Sequence, residues 1–312
     1  MSNMIATRES YGNALCELGK INDKIVVFDA DLSGSTKTAV FKKAFPERHF
    51  NAGIAEMNMA GMAAGMAACG KIPFISTFAV FGTGRIYDAV RNAICYPKLN
   101  VKLAMTHAGL TVGEDGATHQ MLEDVALMTA LPNMTVIVPA DDTEAKQVVY
   151  AAAEVDGPVY MRFGRGKTEV IFDENYKFEV GKANVLTEGS DIAIFACGIM
   201  VAKALKACEE LKKEGINASV VNVATIKPLD EKTVIEVAGK CGCAVTCEEH
   251  SVYGGLYSVI SQCLAGNKPV PVKAVAVNDT FGESGKPDEL LEKYGLTVEN
   301  IISKAKEAIA MK

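Results

Sequence analysis

The sequence predicts an α/β protein of two domains, each a mostly parallel sheet flanked by helices. Three observations carry this. The chain has 312 residues, and domains cluster near about 100–150 residues, so two are expected. Apolar residues make up 49% of it, enough for two sizeable cores. Near-continuous apolar, β-rich runs alternate with helical patterns, the pattern of parallel strands covered on both faces.

The strands of the first domain are expected in KIVVFDADL, PFISTFAVF, NVKLAMTHA, MTVIVPAD and PVYMRFG. Those of the second are expected in DIAIFACG, ASVVNVATI, CAVTCEEH and VKAVAV. Between the two sets, RGKTEVIFDENYKFEVGKANVLTEGSD is more polar and reads as a connector with room for a short hairpin. This divides the chain into a first domain at 1–170, a linker at 171–187 and a second domain at 188–312. Helices fill the intervals. The one that starts at Glu56, in GIAEMNMAGMAAGMA, is almost wholly Met, Ala and Gly and should pack very closely against something.

The formal net charge is −6 and no basic run occurs, which argues against nucleic acid as a partner. MSNMIATRESYG lacks the apolar core of a secretory leader. No uncharged apolar stretch reaches about 18 residues. A cytoplasmic protein is expected, with its nine cysteines as free thiols. Cys241, Cys243, Cys247 and His250 fall within ten residues, but CAVTC reads as a buried strand. Ligands along one strand do not converge on a tetrahedral ion, so a structural role is expected and no metal is assigned to this chain.

In parallel sheets the functional groups sit in loops at the carboxyl ends of strands. That rule selects DADLSGS, STFAVFG, THAGLTVGEDGATHQ, PADD and RFGRG, all in the first domain. The stretch GEDGATHQ, residues 113–120, puts two acids, two glycines and a histidine in a loop. Histidine is the usual proton carrier near neutral pH, and two of the chain's four histidines, His107 and His119, flank Asp115 here. Glu56 is a carboxylate amid apolar neighbours, costly unless paired or protonated; as a helix-entry acid it would also be favoured by the dipole. Phe78 and Phe81, three apart at a strand end, can turn both rings toward one site or serve as core aromatics.

Together ATR, DADLSGS, GIAEMNMAGMAAGMA, STFAVF, THAGLTVGEDGATHQ and LPNMTVIVPAD resemble transketolase, in order and over essentially the whole chain. TIKPLD and EEHSVYGG extend the resemblance. The match is to the carboxyl-terminal half, a pyrimidine-binding domain followed by the C-terminal domain. The resemblance implies thiamine diphosphate as cofactor. Glu56 resembles the acid that shares a proton with the aminopyrimidine ring, Phe81 the aromatic stacked on it, Phe78 a neighbour in the same pocket, and Asp31 is placed with the cofactor-binding residues. Asp115 resembles the residue that binds a substrate hydroxyl, and His119 a residue of substrate binding and proton transfer. Arg8, Ser35, His107 and Arg165 resemble a clamp for the substrate phosphate, with Arg162 as an alternative in RFGRG.

Three features depart from the family pattern. AG follows His107 where Asp-Ser is common, Gly84 stands where many members have Tyr, and no Gly-Asp-Gly followed by Asn is present for the diphosphate and its metal. The resemblance therefore implies the C-terminal subunit of a split transketolase, moving a two-carbon ketol unit between sugar phosphates. An N-terminal partner subunit would hold Mg2+ or Ca2+ in an α2β2 tetramer. A 1-deoxyxylulose-phosphate synthase-like enzyme, a 2-oxoacid dehydrogenase beta subunit and a non-catalytic binding subunit are the alternatives.

Overall fold

The structure is a computed structural model that describes residues 3–312. Among the described residues there are fourteen strands: β1 (Met4–Ala6), β2 (Ile25–Asp29), β3 (His49–Asn51), β4 (Ile72–Ser76), β5 (Lys102–Thr106), β6 (Thr135–Ile137), β7 (Val159–Phe163), β8 (Lys167–Glu169), β9 (Asn184–Thr187), β10 (Ile192–Ala196), β11 (Ala218–Asn222), β12 (Thr225–Lys227), β13 (Ala244–Ser251) and β14 (Val272–Val277). The strands of the first set, joined by β3 and by β12 from the second half, build a seven-stranded sheet in the order β12-β6-β7-β5-β4-β2-β3. Those of the second build a five-stranded sheet in the order β14-β13-β10-β11-β9. Within these two sheets every pair is parallel except β12 on β6 and β9 on β11. β2, β5, β7, β10 and β11 are buried at every position, as strands covered on both faces must be.

Three local differences from the expected elements have physical causes. The run PFISTFAVF is strand only to Ser76; Val80–Arg85 then winds into a wide helical turn, which puts Phe78 in the bend. The run ASVVNVATI is broken after Asn222, and its second half crosses to pair antiparallel with β6 of the other sheet. The connector forms no hairpin. β8 instead pairs antiparallel with β1, and β9, within the 171–187 stretch, becomes the antiparallel edge of the second sheet.

The two sheets share a core. One apolar cluster runs from Phe28, Met59 and Leu103 beneath the first sheet to Phe195, Val221 and Ala244 of the second. The Glu56–Ala68 helix buries Met59, Ala60, Ala63 and Ala64 in it. Ala and Met are strong helix formers, and the small alanines let the helix sit close to the sheet.

β13 is buried up to its last residue, which confirms CAVTC as a buried strand, but Cys241 lies off it, at the end of the Glu231–Cys241 helix. The thiols of Cys241 and Cys243 face the carbonyls of Gly189 and Asp191. Among the described residues no three possible ligands gather around a common point, and no helix is long and apolar enough to cross a membrane.

Candidate active site

Glu56 is the first residue of its helix and only 4% exposed. Its two carboxylate oxygens accept from Nη1 of Arg85 at 2.9 and 3.0 Å. Arg85 ends the wide turn that follows β4. Its guanidinium lies 4.3 Å over the Phe81 ring, a cation–π distance. Phe81 lies nearly parallel to Phe78, with ring centroids 6.0 Å apart. An acid, a cation and two aromatic planes thus form one continuous contact. Nothing in the sequence pattern singles out Arg85; it stands in GTGR, directly after the segment singled out for its phenylalanines.

Phe78 continues the chain of contacts. The His107 ring stacks on it at 3.9 Å. His107 has a left-handed backbone, φ 58°, which turns its side chain back over the strand end. Its Nε2 meets Nη1 of Arg8 at 3.2 Å and its Nδ1 meets Oγ1 of Thr106 at 2.8 Å. A guanidinium only donates, so Nε2 accepts and the ring proton sits on Nδ1. Burial, then the charges of Arg8 and Arg165, push the His107 pKa down to about 3. His107 is therefore a neutral orienting group for Arg8, not a cation.

Arg8 also donates to the main-chain oxygen of Ser35 at 3.0 Å, and its Nε is buried without a partner. Burial, with Arg165 adding to it, lowers the Arg8 pKa. His119 is half-buried and approaches Phe81 edge-on at 5.5 Å and Phe78 at 6.1 Å. Its Nδ1 bonds Oγ1 of Thr118. Asp115 ends the Leu110–Asp115 helical turn and is exposed. Asp31, left-handed at φ 64° and exposed, exchanges two 3.0 Å hydrogen bonds with the Asn51 side chain. The fold thus joins Glu56, through Arg85, with Phe81, Phe78, His119, His107, Arg8 and Ser35 in one chain of contacts, while Asp31 and Asp115 flank them on exposed loops.

The two arginines of RFGRG differ completely. Arg162 is buried and bonded through Nε and Nη2. It donates to both oxygens of Asp124, at 2.7 and 3.2 Å, to the Met121 carbonyl and to the Glu249 carbonyl. Tyr160 donates to the same Asp124. Burial alone would raise the Asp124 pKa, but Arg162 and His250 hold it below the usual carboxylate range. Arg165 is partly exposed, donates to the Val112 carbonyl, and meets Glu114 at 3.1 Å.

A two-domain α/β chain with an acid–aromatic surface beside a cationic one at the sheet's carboxyl edge defines the class. The chain belongs to the transketolase family: residues 3–170 match its pyrimidine binding domain and residues 181–301 its C-terminal domain. A Methanocaldococcus jannaschii protein named as a transketolase C-terminal section is 50% identical over 96% of this chain and 95% of its own length. The 6-deoxy-6-sulfo-D-fructose transketolase subunit SqwH of Clostridium sp. (strain MSTE9) is 44% identical over 98% and 95%. A solved structure described as a split gene transketolase, inactive beta4 tetramer, superposes with TM-score 0.93 at 55% identity and covers 99% of both chains. Human transketolase is 37% identical over 95% of this chain, which spans 48% of that protein.

Proposed function

We propose that this chain is the C-terminal subunit of a split transketolase. With an N-terminal partner subunit it transfers a two-carbon ketol unit from a ketose phosphate to an aldose phosphate. The carrying observation is the contact chain Glu56–Arg85–Phe81–Phe78–His107–Arg8. It sets an acid and two aromatic faces at one end and a cationic group at the other, about the demands of a heteroaromatic ring and an anionic substrate.

Thiamine diphosphate, when bound, supplies carbanion stabilisation at its thiazolium carbon. The residues fit its aminopyrimidine ring. Phe78 and Phe81 offer flat apolar faces, and Glu56, nearly buried at a helix start, offers a carboxyl for a ring nitrogen. In this reading Glu56 holds the proton shared with that nitrogen, Phe81 stacks on the ring, and Asp31 lies along the cofactor. The diphosphate and its metal ion belong to the partner. Arg8 and Arg165 bind the substrate phosphate by charge-assisted bonds, with His107 and Ser35 fixing the Arg8 guanidinium. Asp115 and His119 bind substrate hydroxyls, and His119 moves a proton at the reacting end.

Mixing this chain with a subunit that carries Gly-Asp-Gly followed by Asn, plus thiamine diphosphate and Mg2+, should give ketol transfer from xylulose 5-phosphate. Pyruvate consumption instead would favour a deoxyxylulose-phosphate synthase or oxoacid dehydrogenase role. Activity on 6-deoxy-6-sulfofructose, suggested by the 44% identical subunit, would narrow the donor to a sulfo-sugar.

A further inference from the structure

The loop that carries Asp115 and His119 is built to be loose. Gly109, Gly113 and Gly116 all have positive φ, at 82°, 81° and 76°, and glycines of this kind leave a chain many alternatives. Yet the loop is tied at both ends and in the middle, and important ties come from the other domain. At its start, the Thr111 N–H donates to Oε1 of Glu249 at 2.6 Å. At its end, the Ser251 N–H donates to the Leu122 carbonyl at 2.8 Å. Between them, Gln120 Nε2 donates to the Glu283 carbonyl at 2.9 Å and to the loop's own Leu110 and Gly113 carbonyls. Glu249 is 6% exposed, and its main-chain oxygen takes the Arg162 bond. Its carboxylate lies so close to Gly109 that a β-carbon there would fall 2.3 Å from Cδ.

We propose that the C-terminal domain positions the substrate loop, with Glu249 as the positioning residue. The inference rests on the reading of residues 113–120 as substrate-binding. A buried carboxylate accepting a main-chain N–H is a strong tie. Without it the Thr111 N–H has no acceptor in a dry site, and the loop is free to shift. A displacement of about 1 Å in a positioned group can cost roughly 10²-fold in rate.

Two readouts on full-length protein test this. In hydrogen–deuterium exchange on this chain alone, Glu249→Ala should speed exchange of residues 109–121 at least about tenfold while β2, β4 and β5 keep wild-type protection. Reconstituted with the partner subunit, the same variant should lose kcat by about 10–100-fold with KM changed less than about threefold. Glu249→Gln keeps an oxygen that accepts from Thr111 and should restore both. Should Glu249→Ala fail to fold, Gln120→Met removes the separate tie to Glu283 of the C-terminal domain, together with the loop's own bonds to Leu110 and Gly113, and should give the same localised loosening. Unchanged loop exchange, or equal losses for Ala and Gln, would overturn the proposal. So would faster exchange spread over the whole chain with kcat per folded molecule intact, since that marks a purely structural residue. Glu249-dependent loop exchange in a chain that shows no ketol transfer would discard the substrate assignment and keep the positioning.

Discussion

Because Arg8 can only donate, the histidine it touches is held neutral, and that has a measurable sign. The folded His107 pKa is pushed down to about 3, against about 6.5 in an unfolded chain. Between those values the unfolded state binds the proton and the folded state does not, so stability falls as pH drops through this window. Thermal melts from pH 7 to 5 should therefore fall more steeply for wild type than for His107→Gln; parallel curves would refute the neutral assignment. Glu56→Gln should lower activity of the reconstituted enzyme by roughly 10²–10⁴-fold with the fold intact, because an amide cannot share a proton with a ring nitrogen. Activity within about threefold of wild type would leave Glu56 as a helix-entry acid only. The two arginines of RFGRG should separate cleanly. Arg162→Met strands the buried Asp124 and should cost about 3–5 kcal/mol of stability. Arg165→Met breaks a partly exposed pair, worth about 0–1 kcal/mol, and should instead raise KM for phosphorylated donors and not for erythrulose. Strand-end motifs singled out Phe78, Phe81 and His119 in the sequence, and an acid amid apolar neighbours singled out Glu56; the structure brings all four into one chain of contacts through Arg85. Arg85 was not legible there, because its guanidinium reaches Glu56 only through a wide helical turn that no propensity announces. Nor was the neutrality of His107, which arises from burial against Phe78 and Arg8.

The polar connector behaves as a structured element because helix-capping acids fasten it. Asp141 caps the Asp142–Glu154 helix through the Glu144 N–H. Its other oxygen accepts from the main chains of Ile171 and Phe172, both at 2.8 Å. Asp230 caps the Glu231–Cys241 helix and takes the Ala183 N–H. Glu144, buried and pushed up to about 7 by burial, accepts from Tyr176 of the connector and from Asn222 at the end of β11. Each cap thus does two jobs, and the second involves residues about 30 or more positions away, which explains why local pattern suggested only a hairpin. Unsatisfied buried donors cost about 1–3 kcal/mol each. Asp141→Ala should accordingly lower the melting temperature and open residues 170–173 to hydrogen exchange while β10 and β13 stay protected. Unchanged exchange in that segment would show that the connector is held by its aromatic contacts alone, such as Phe172 stacked on Tyr176 at 3.9 Å.

At the scale of the whole molecule, the continuous apolar runs made the two sheets legible, but not their union. β12 leaves the second half of the chain to extend the first sheet, a long-range pairing that alternation along the sequence cannot encode. The small-residue helix shows the opposite case, where sequence and surface agree. One side of Glu56–Ala68 is core; the other leaves Met57 50% exposed, with Ile54 just before it 80% exposed. Gly61 and Gly65 lie on this outer side, and a β-carbon at either would meet nothing within 4 Å. Glycines spaced four apart on a helix let a second backbone approach closely, and exposed large apolar residues beside them suit a protein interface. We expect the chain to self-associate through this exposed face. Gly65→Glu tests this without harming the protomer: the new side chain has open space, and replacing helical Gly gains roughly 0.5–1 kcal/mol. Sedimentation should show a smaller species for Gly65→Glu than for wild type, with melting temperature of the protomer equal or higher. An unchanged assembly would move the contact away from this helix.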